Sequence, residues 1–208
     1  MLWRFMREGL AWRKHAASAI AACSMEGPMA RLPYLTREDL PEADRDIWDK
    51  FVEARGSDPG HVHRIVANAP NLLRRFLGLA DELRNGTELD PKLRELALMT
   101  VGRITKAEYE FLHHWNISLR VGVKREQLER LAEFEHAPVF NDQERAVMRY
   151  ASEVTTNVGV SDATFETLRR FLDHRRILEL AMNVAFYNAV VRILVPLRVE
   201  LEPDAKKG

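Results

Sequence analysis

Cysteine is almost missing from this chain of 208 residues, which carries Cys23 as its one thiol. A single thiol excludes an internal disulfide framework, a cysteine-rich zinc site and an internal dithiol pair. An excess of either charge is missing too. Lys+Arg and Asp+Glu are each 31, so the formal net charge is zero. No basic surplus is left to neutralise phosphates, which argues against a nucleic-acid partner, and little self-repulsion opposes self-association. Strand patterning is also absent, since no segment alternates at period two between hairpin turns.

What is present fits one globular domain with an appendage: 46% hydrophobic and 30% charged residues, at a length that buries a substantial core. The first residues stand apart. Arg4, Arg7, Arg13 and Lys14 precede a small-residue run from Ala16 to Ala22, and Ile20-Ala21-Ala22-Cys23 is similar to a lipoprotein lipobox. The apolar run is too short and too rich in alanine for a signal core. Residues 1–30 therefore read as a poorly ordered or over-called extension, residues 31–208 as the domain, and the protein as cytoplasmic.

Helical punctuation follows from Leu35 onward. Pro41 opens a segment with Ile47, Trp48, Phe51 and Val52 at helical spacing, closed by Gly56. The run Gly56-Ser57-Asp58-Pro59-Gly60 is a loop by composition. Pro70 opens a helix closed by Asn85-Gly86, and Asp90-Pro91 caps one running from Leu93 to Ile104. Further helices are expected at about 105–121, 124–134, 142–158, 161–173 and 176–195, with Pro196 as the last stop. The final one is apolar almost all round. Its length falls short of a membrane span and it contains Arg192, so it reads as a central core helix or a subunit contact.

On the helix from Thr105 to Val121, steps of three and four gather Ala107, Glu110, Phe111, His114, Ile117, Ser118 and Val121 on one face. Glu110 and His114 are thus one turn apart on a mostly apolar surface. A carboxylate there needs a partner, and histidine supplies one. Two uses remain open: a structural ion pair locking helices, or a proton-transfer device built on an imidazole held by a carboxylate. Glu95 stands among Leu93, Leu96, Ala97 and Leu98, where its direction depends on helix phase. His113 points about a quarter-turn from His114 and reads as solvated or interfacial. A metal site from Glu110, His114 and the His61-x-His63 pair rests on residue type alone, so none is expected.

These residues resemble a known family. Glu95, followed after twelve residues by Ala107-Glu108-Tyr109-Glu110-Phe111-Leu112-His113-His114, is similar to the core of the carboxymuconolactone decarboxylase and alkyl hydroperoxidase D superfamily. The peroxidase branch has a glutamate, then Cys-x-x-Cys-x-x-x-His. Here Glu95 and His114 match the glutamate and histidine, while Ala107 and Glu110 occupy the two cysteine positions. The Tyr-Glu-aromatic-x-x-His form resembles a cysteine-free branch, as does Ala185-Phe186-Tyr187-Asn188.

The resemblance implies an all-α helical bundle with the motif on a helical hairpin, assembled as a trimer or hexamer. It implies catalytic roles for His114, Glu110 and Glu95, with no cofactor. Tyr109, Asn188 and Arg192 are candidates for substrate binding, although Arg192 also suits a pairing with an acid of its own chain. Thiol peroxidase chemistry needs sulfur, which neither motif position supplies. The decarboxylase branch fits better: loss of carbon dioxide from an unsaturated lactone leaves a dienolate-like charge that an acid such as His114 protonates, and the same groups serve an isomerisation. The expected function is cofactor-free proton transfer on a small unsaturated acid or lactone, a lyase or isomerase. The competing reading is a non-catalytic oligomeric domain with a structural Glu-His pair. The partners expected are a small-molecule substrate and further copies of the chain, with no nucleic acid and no membrane.

Overall fold

The computed structural model describes residues 30–205. Among them are nine α-helices and two short 3-10 turns, Glu42–Asp44 and Leu131–Glu133, with no strand. The helices are α1 (Arg45–Arg55), α2 (His61–Val66), α3 (Pro70–Asn85), α4 (Pro91–Thr105), α5 (Glu108–Arg120), α6 (Arg125–Glu129), α7 (Asp142–Asn157), α8 (Asp162–Arg169) and α9 (His174–Leu197). The all-α expectation holds. The reading of residues 1–30 concerns segments that, Ala30 apart, lie outside the described residues.

Helix α4 is the axis of the fold. Asp90 starts it by accepting from the backbone N–H of Lys92 and Leu93, with Pro91 in the first turn. Ten consecutive residues, Leu93 to Gly102, are buried, because α5, α7 and α9 cover it on several sides. The main core gathers Leu96, Met99 and Val101 of α4 with Trp115, Met148, Leu168, Leu180 and Val184. Fully burying one such aliphatic side chain contributes roughly 1.5–3 kcal/mol.

Two residues separate α4 from α5. Lys106 turns the chain with φ 55°, in the left-handed region that L-residues adopt at some cost. Gly102 lets the helices close up, since a Cβ there would already touch the Phe111 backbone at 3.5 Å. This hairpin faces Glu95 of α4 toward His114 of α5. Two smaller apolar clusters complete the domain. Leu40, Ile47, Trp48, Ala67 and Leu73 join α1 to α3. Val62, Tyr109, Val190 and Leu194, backed by Phe76 and Phe186, join α2, α5 and α9.

Some boundaries depart from the sequence reading. α5 begins at Glu108 rather than Thr105, because the left-handed Lys106 breaks the run. α2 occupies residues the loop reading left without a helix. α9 continues through Pro196 to Leu197 and is capped by Arg198, whose left-handed backbone returns its N–H to the Leu194 and Val195 carbonyls. Pro196 sits in the last turn, where its missing N–H removes only one helical bond. Nor is α9 buried all round: Leu178, Met182 and Val195 are exposed. Among the described residues it is the helix long and apolar enough to cross a bilayer, yet here one flank packs on α4 and α7.

Candidate active site

A line of polar groups crosses the otherwise apolar hairpin. The Arg84 carbonyl, at the end of α3, accepts from Arg94 Nη1 at 2.7 Å. Arg94 Nε donates to Glu95 Oε1 at 3.2 Å, and Glu95 Oε2 meets His114 Nδ1 at 2.6 Å. On the far side of the imidazole, Nε2 lies 3.3 Å from Glu110 Oε2, one helical turn back along α5. Exposure is 1% for Glu95, 4% for His114 and 7% for Glu110. The Tyr187 ring stands edge-on to His114, with centroids 4.7 Å apart.

The electrostatics follow from this enclosure. Burial alone would lower the His114 pKa, but Tyr187, Glu95 and Glu110 together hold it well above the ordinary imidazole value. The ring is therefore an imidazolium at neutral pH, donating from Nδ1 to Glu95 and turning its Nε2–H toward Glu110. Burial would likewise raise the Glu95 carboxyl, but His114 and Arg94 keep it below the usual carboxylate range. Glu95 is thus a fixed anion at the back of the ring, which sets its orientation and charge.

Glu110 and His114 open onto a cleft of about 420 Å³. α1 contributes Phe51 and Arg55, α2 contributes Val62 and His63, α3 contributes Phe76 and Arg84, and α9 contributes Phe186 and Tyr187. The C-terminal tail closes one side. Glu202 accepts from the Tyr109 hydroxyl at 2.8 Å, from the His61 backbone N–H at 2.7 Å, and pairs with His113 Nε2 at 2.8 Å. Burial would raise the Glu202 carboxyl, yet these donors hold it well below the usual range. Gly60 leaves room for it, since a Cβ there would stand 2.7 Å from Glu202 Oε1 and push that carboxylate aside.

The structure brings Glu95, Glu110 and His114 together, and Tyr109 lines the same cleft. The Tyr109 hydroxyl is already engaged with Glu202 and with the Val62 N–H, so the residue acts as wall and latch. Asn188 and Arg192 are not brought there. Asn188 donates to Thr155 Oγ1 and to the Val184 carbonyl. Arg192 donates to the Asn188 backbone and side-chain oxygens, not to an acid. Neither lines the cleft. His113, read from the sequence as solvated or interfacial, has a part-exposed side chain at the edge of the cleft, where it pairs with Glu202.

The His61-x-His63 pair diverges. His61 stacks on Tyr34 and its Nδ1 meets the Glu200 carbonyl, while His63 faces the cleft. Among the described residues no three His, Cys, Asp or Glu side chains gather as a metal-binding group. Sequence reasoning missed Arg55, Arg84, Tyr187 and Glu202 as cleft residues, and considered His63 only as a metal ligand. Each stands at or beyond a helix end or on a different element, and only tertiary packing collects them. The one available signal was Tyr187 within Ala185-Phe186-Tyr187-Asn188.

Residues 70–153, which span α3 through most of α7, match the model of the carboxymuconolactone decarboxylase family. That stretch, which holds the Glu95 and His114 hairpin, is similar to this family. Solved structures agree on the fold. A peroxidase-related protein with an alkylhydroperoxidase AhpD core from Ralstonia eutropha JMP134 superposes with a TM-score of 0.73 at 20% identity, covering 86% of this chain and 95% of that one. A peroxidase-related protein from Silicibacter sp. TM1040 gives 0.74 at 19% identity, covering 88% and 97%. The debrominase Bmp8, as a point variant in complex with 2,3,4-tribromopyrrole, gives 0.69 at 20% identity, covering 87% and 95%. Comparison with curated proteins finds no match. At the two positions where the sequence resemblance sets the peroxidase cysteines, this chain has Ala107 and Glu110, and Ala107 is itself buried at the head of α5.

Proposed function

We propose that this domain is a proton-transfer enzyme of the decarboxylase-like kind, acting on a small unsaturated acid or lactone. The observation that carries this reading is that Glu110 and His114 are nearly enclosed by protein yet form the floor of a cleft of about 420 Å³. A purely structural ion pair has no need of such a cavity, and the cleft favours the catalytic reading over it. The volume suits one small ring. A protein of the same fold, the Bmp8 variant, forms a complex with a small substituted ring, 2,3,4-tribromopyrrole.

Glu110 and His114 touch the substrate and are the catalytic residues; Glu95 is a positioning residue that acts through His114. In an isomerisation, Glu110 takes a proton from a carbon next to the carbonyl and the C–H electron pair moves into the conjugated system as a dienolate. His114 returns a proton from Nε2 at another carbon and is recharged by Glu110. In a decarboxylation, the C–C bond breaks, its electron pair enters the same conjugated system as carbon dioxide leaves, and His114 supplies the quenching proton. Electrons balance in both without an oxidant, and the imidazolium stabilises the developing negative charge.

The test is solvent-deuterium exchange followed by proton NMR across a set of small unsaturated lactones and acids. The wild-type protein is expected to exchange one C–H of a substrate, and His114→Ala and Glu110→Ala to lose that exchange while remaining folded. A folded wild-type protein that exchanges none of them, or folded variants that exchange as fast as wild type, would sink the proposal.

A further inference from the structure

The cleft holds two guanidinium groups that the proton-transfer chemistry does not use. Arg55 leaves the last turn of α1 and Arg84 the last turn of α3, and both line the same cavity as Glu110 and His114. Neither has a carboxylate within 4.0 Å among the described residues, where other basic side chains form seventeen such pairs. Arg55 packs over the Phe51 ring, 5.3 Å from its centroid. The Arg84 charge is felt at Tyr187, the ring that stands against His114. The nearby acids are otherwise engaged: Asp58 accepts from Trp48 Nε1, Asp81, whose charge bears on Arg55, accepts from Asn85, Glu110, whose charge bears on Arg84, pairs with His114, Glu202 holds the tail, and Asp204 forms no ion pair with either arginine.

His63 adds an independent mark. Its side chain is deeply enclosed beside the cleft, tilted against Phe51, and its Nδ1 has no hydrogen-bond partner. Burial and the two arginines push it down to about 4, so it is neutral and offers one N–H donor or one lone pair. The arginines also bear on each other, since burial and the Arg84 charge lower Arg55. Like charges converging on one cavity, with no carboxylate paired directly to either, leave a place for an anion.

We propose that Arg55 and Arg84, with His63 beside them, form a carboxylate-binding subsite that anchors an acid substrate with its reacting carbon toward Glu110 and His114. This assignment rests on the proton-transfer reading for the word substrate, but the subsite is defined by its own chemistry. A carboxylate held by two guanidiniums is stabilised as an anion, which disfavours its departure as carbon dioxide. The clamped group is therefore a retained anchor. The substrate is either a monocarboxylate undergoing a proton shift or a diacid that loses its second carboxyl group.

Isothermal titration calorimetry with benzoate and its neutral isostere benzamide tests the subsite without turnover. Benzoate is expected to bind wild type at least about tenfold more tightly than benzamide. Arg84→Gln and, separately, Arg55→Gln should each weaken benzoate about tenfold and leave benzamide unchanged, with far-UV circular dichroism reporting the fold. Arg55 stands at the exposed rim, so its variant keeps the test open if Arg84→Gln unfolds. Equal binding of the two probes, no saturable benzoate binding at all, or unchanged benzoate affinity in a folded arginine variant overturns the proposal. A subsite that binds benzoate as expected in a protein with no proton exchange would leave the subsite standing and remove only the proton-transfer reading.

Discussion

Glu95 and His114 are nineteen residues apart in sequence and 2.6 Å apart in space, joined at the imidazole Nδ1. Their helices are linked by a two-residue turn, so the contact depends on how α4 and α5 pack rather than on local periodicity. Because both groups are buried and charged, removing one strands the other, and this gives the pair consequences for stability as well as for chemistry.

Stability should depend on pH through this pair. A free imidazole titrates near 6.5, and the folded His114 titrates well above that. Its contribution is complete below about pH 6.5 and is lost as pH rises through the folded value. Glu95 acts in the opposite sense: its contribution is complete above about 4.5 and is lost as pH falls through the lowered folded value. Urea midpoints from about pH 6 to about pH 9 should therefore decline in wild type, and His114→Gln should remove that part of the decline. An identical slope in the two proteins would contradict the assignment.

Glu95→Gln should cost roughly 3–5 kcal/mol, the range for breaking a buried ion pair from one side. It leaves Arg94, 4% exposed, without its carboxylate, and it withdraws one of the groups that hold the His114 pKa up. Denaturant unfolding checks the first effect. An NMR titration of His114 checks the second, with a downward shift expected; a structural role limited to packing would not move it.

Glu110→Gln is expected to separate catalysis from folding. Glu110 faces the cleft and touches one charged partner at 3.3 Å, and His114 keeps Glu95, so loss of the Glu110 charge should cost roughly 1.5–3 kcal/mol, less than Glu95→Gln. Exchange of a substrate C–H should fall by about 10²–10⁴-fold, the usual worth of a positioned acid or base. Thermal melting and the deuterium-exchange rate, measured on one preparation, decide it.

Glu202→Ala should loosen the C-terminal tail. It removes the acceptor shared by Tyr109, the His61 N–H and His113, and a charged hydrogen bond of this kind is worth about 1.5–3 kcal/mol. Gly60→Ala should partly mimic it, because its new Cβ displaces the end of the same glutamate. Amide exchange at His61 and Val62 is the readout, with faster exchange expected in both variants.

The apolar residues left uncovered on α9, Leu178, Met182 and Val195, are expected to seat further copies of the chain. Light scattering after size exclusion should give an oligomer, and Leu178→Asp should reduce its mass. A wild-type monomer at micromolar concentration would count against this.

The sequence alone determined the helical class, most helix starts and the shared face of Glu110 and His114, because each of these is a local property. Asp90-Pro91, Asn141 and Ser161 cap the helices that follow them through bonds spanning two or three residues. Glu110 and His114 are one turn apart on any helix. Local rules could not decide which way Glu95 faced on a helix buried along ten successive residues, nor that Asn188 and Arg192 would turn to Thr155 and to each other. Only the tertiary structure decided the cleft itself. Its arginines come from the ends of two separate helices and its latch from residue 202, and no periodicity within one segment specifies a cavity assembled from five helices and a tail.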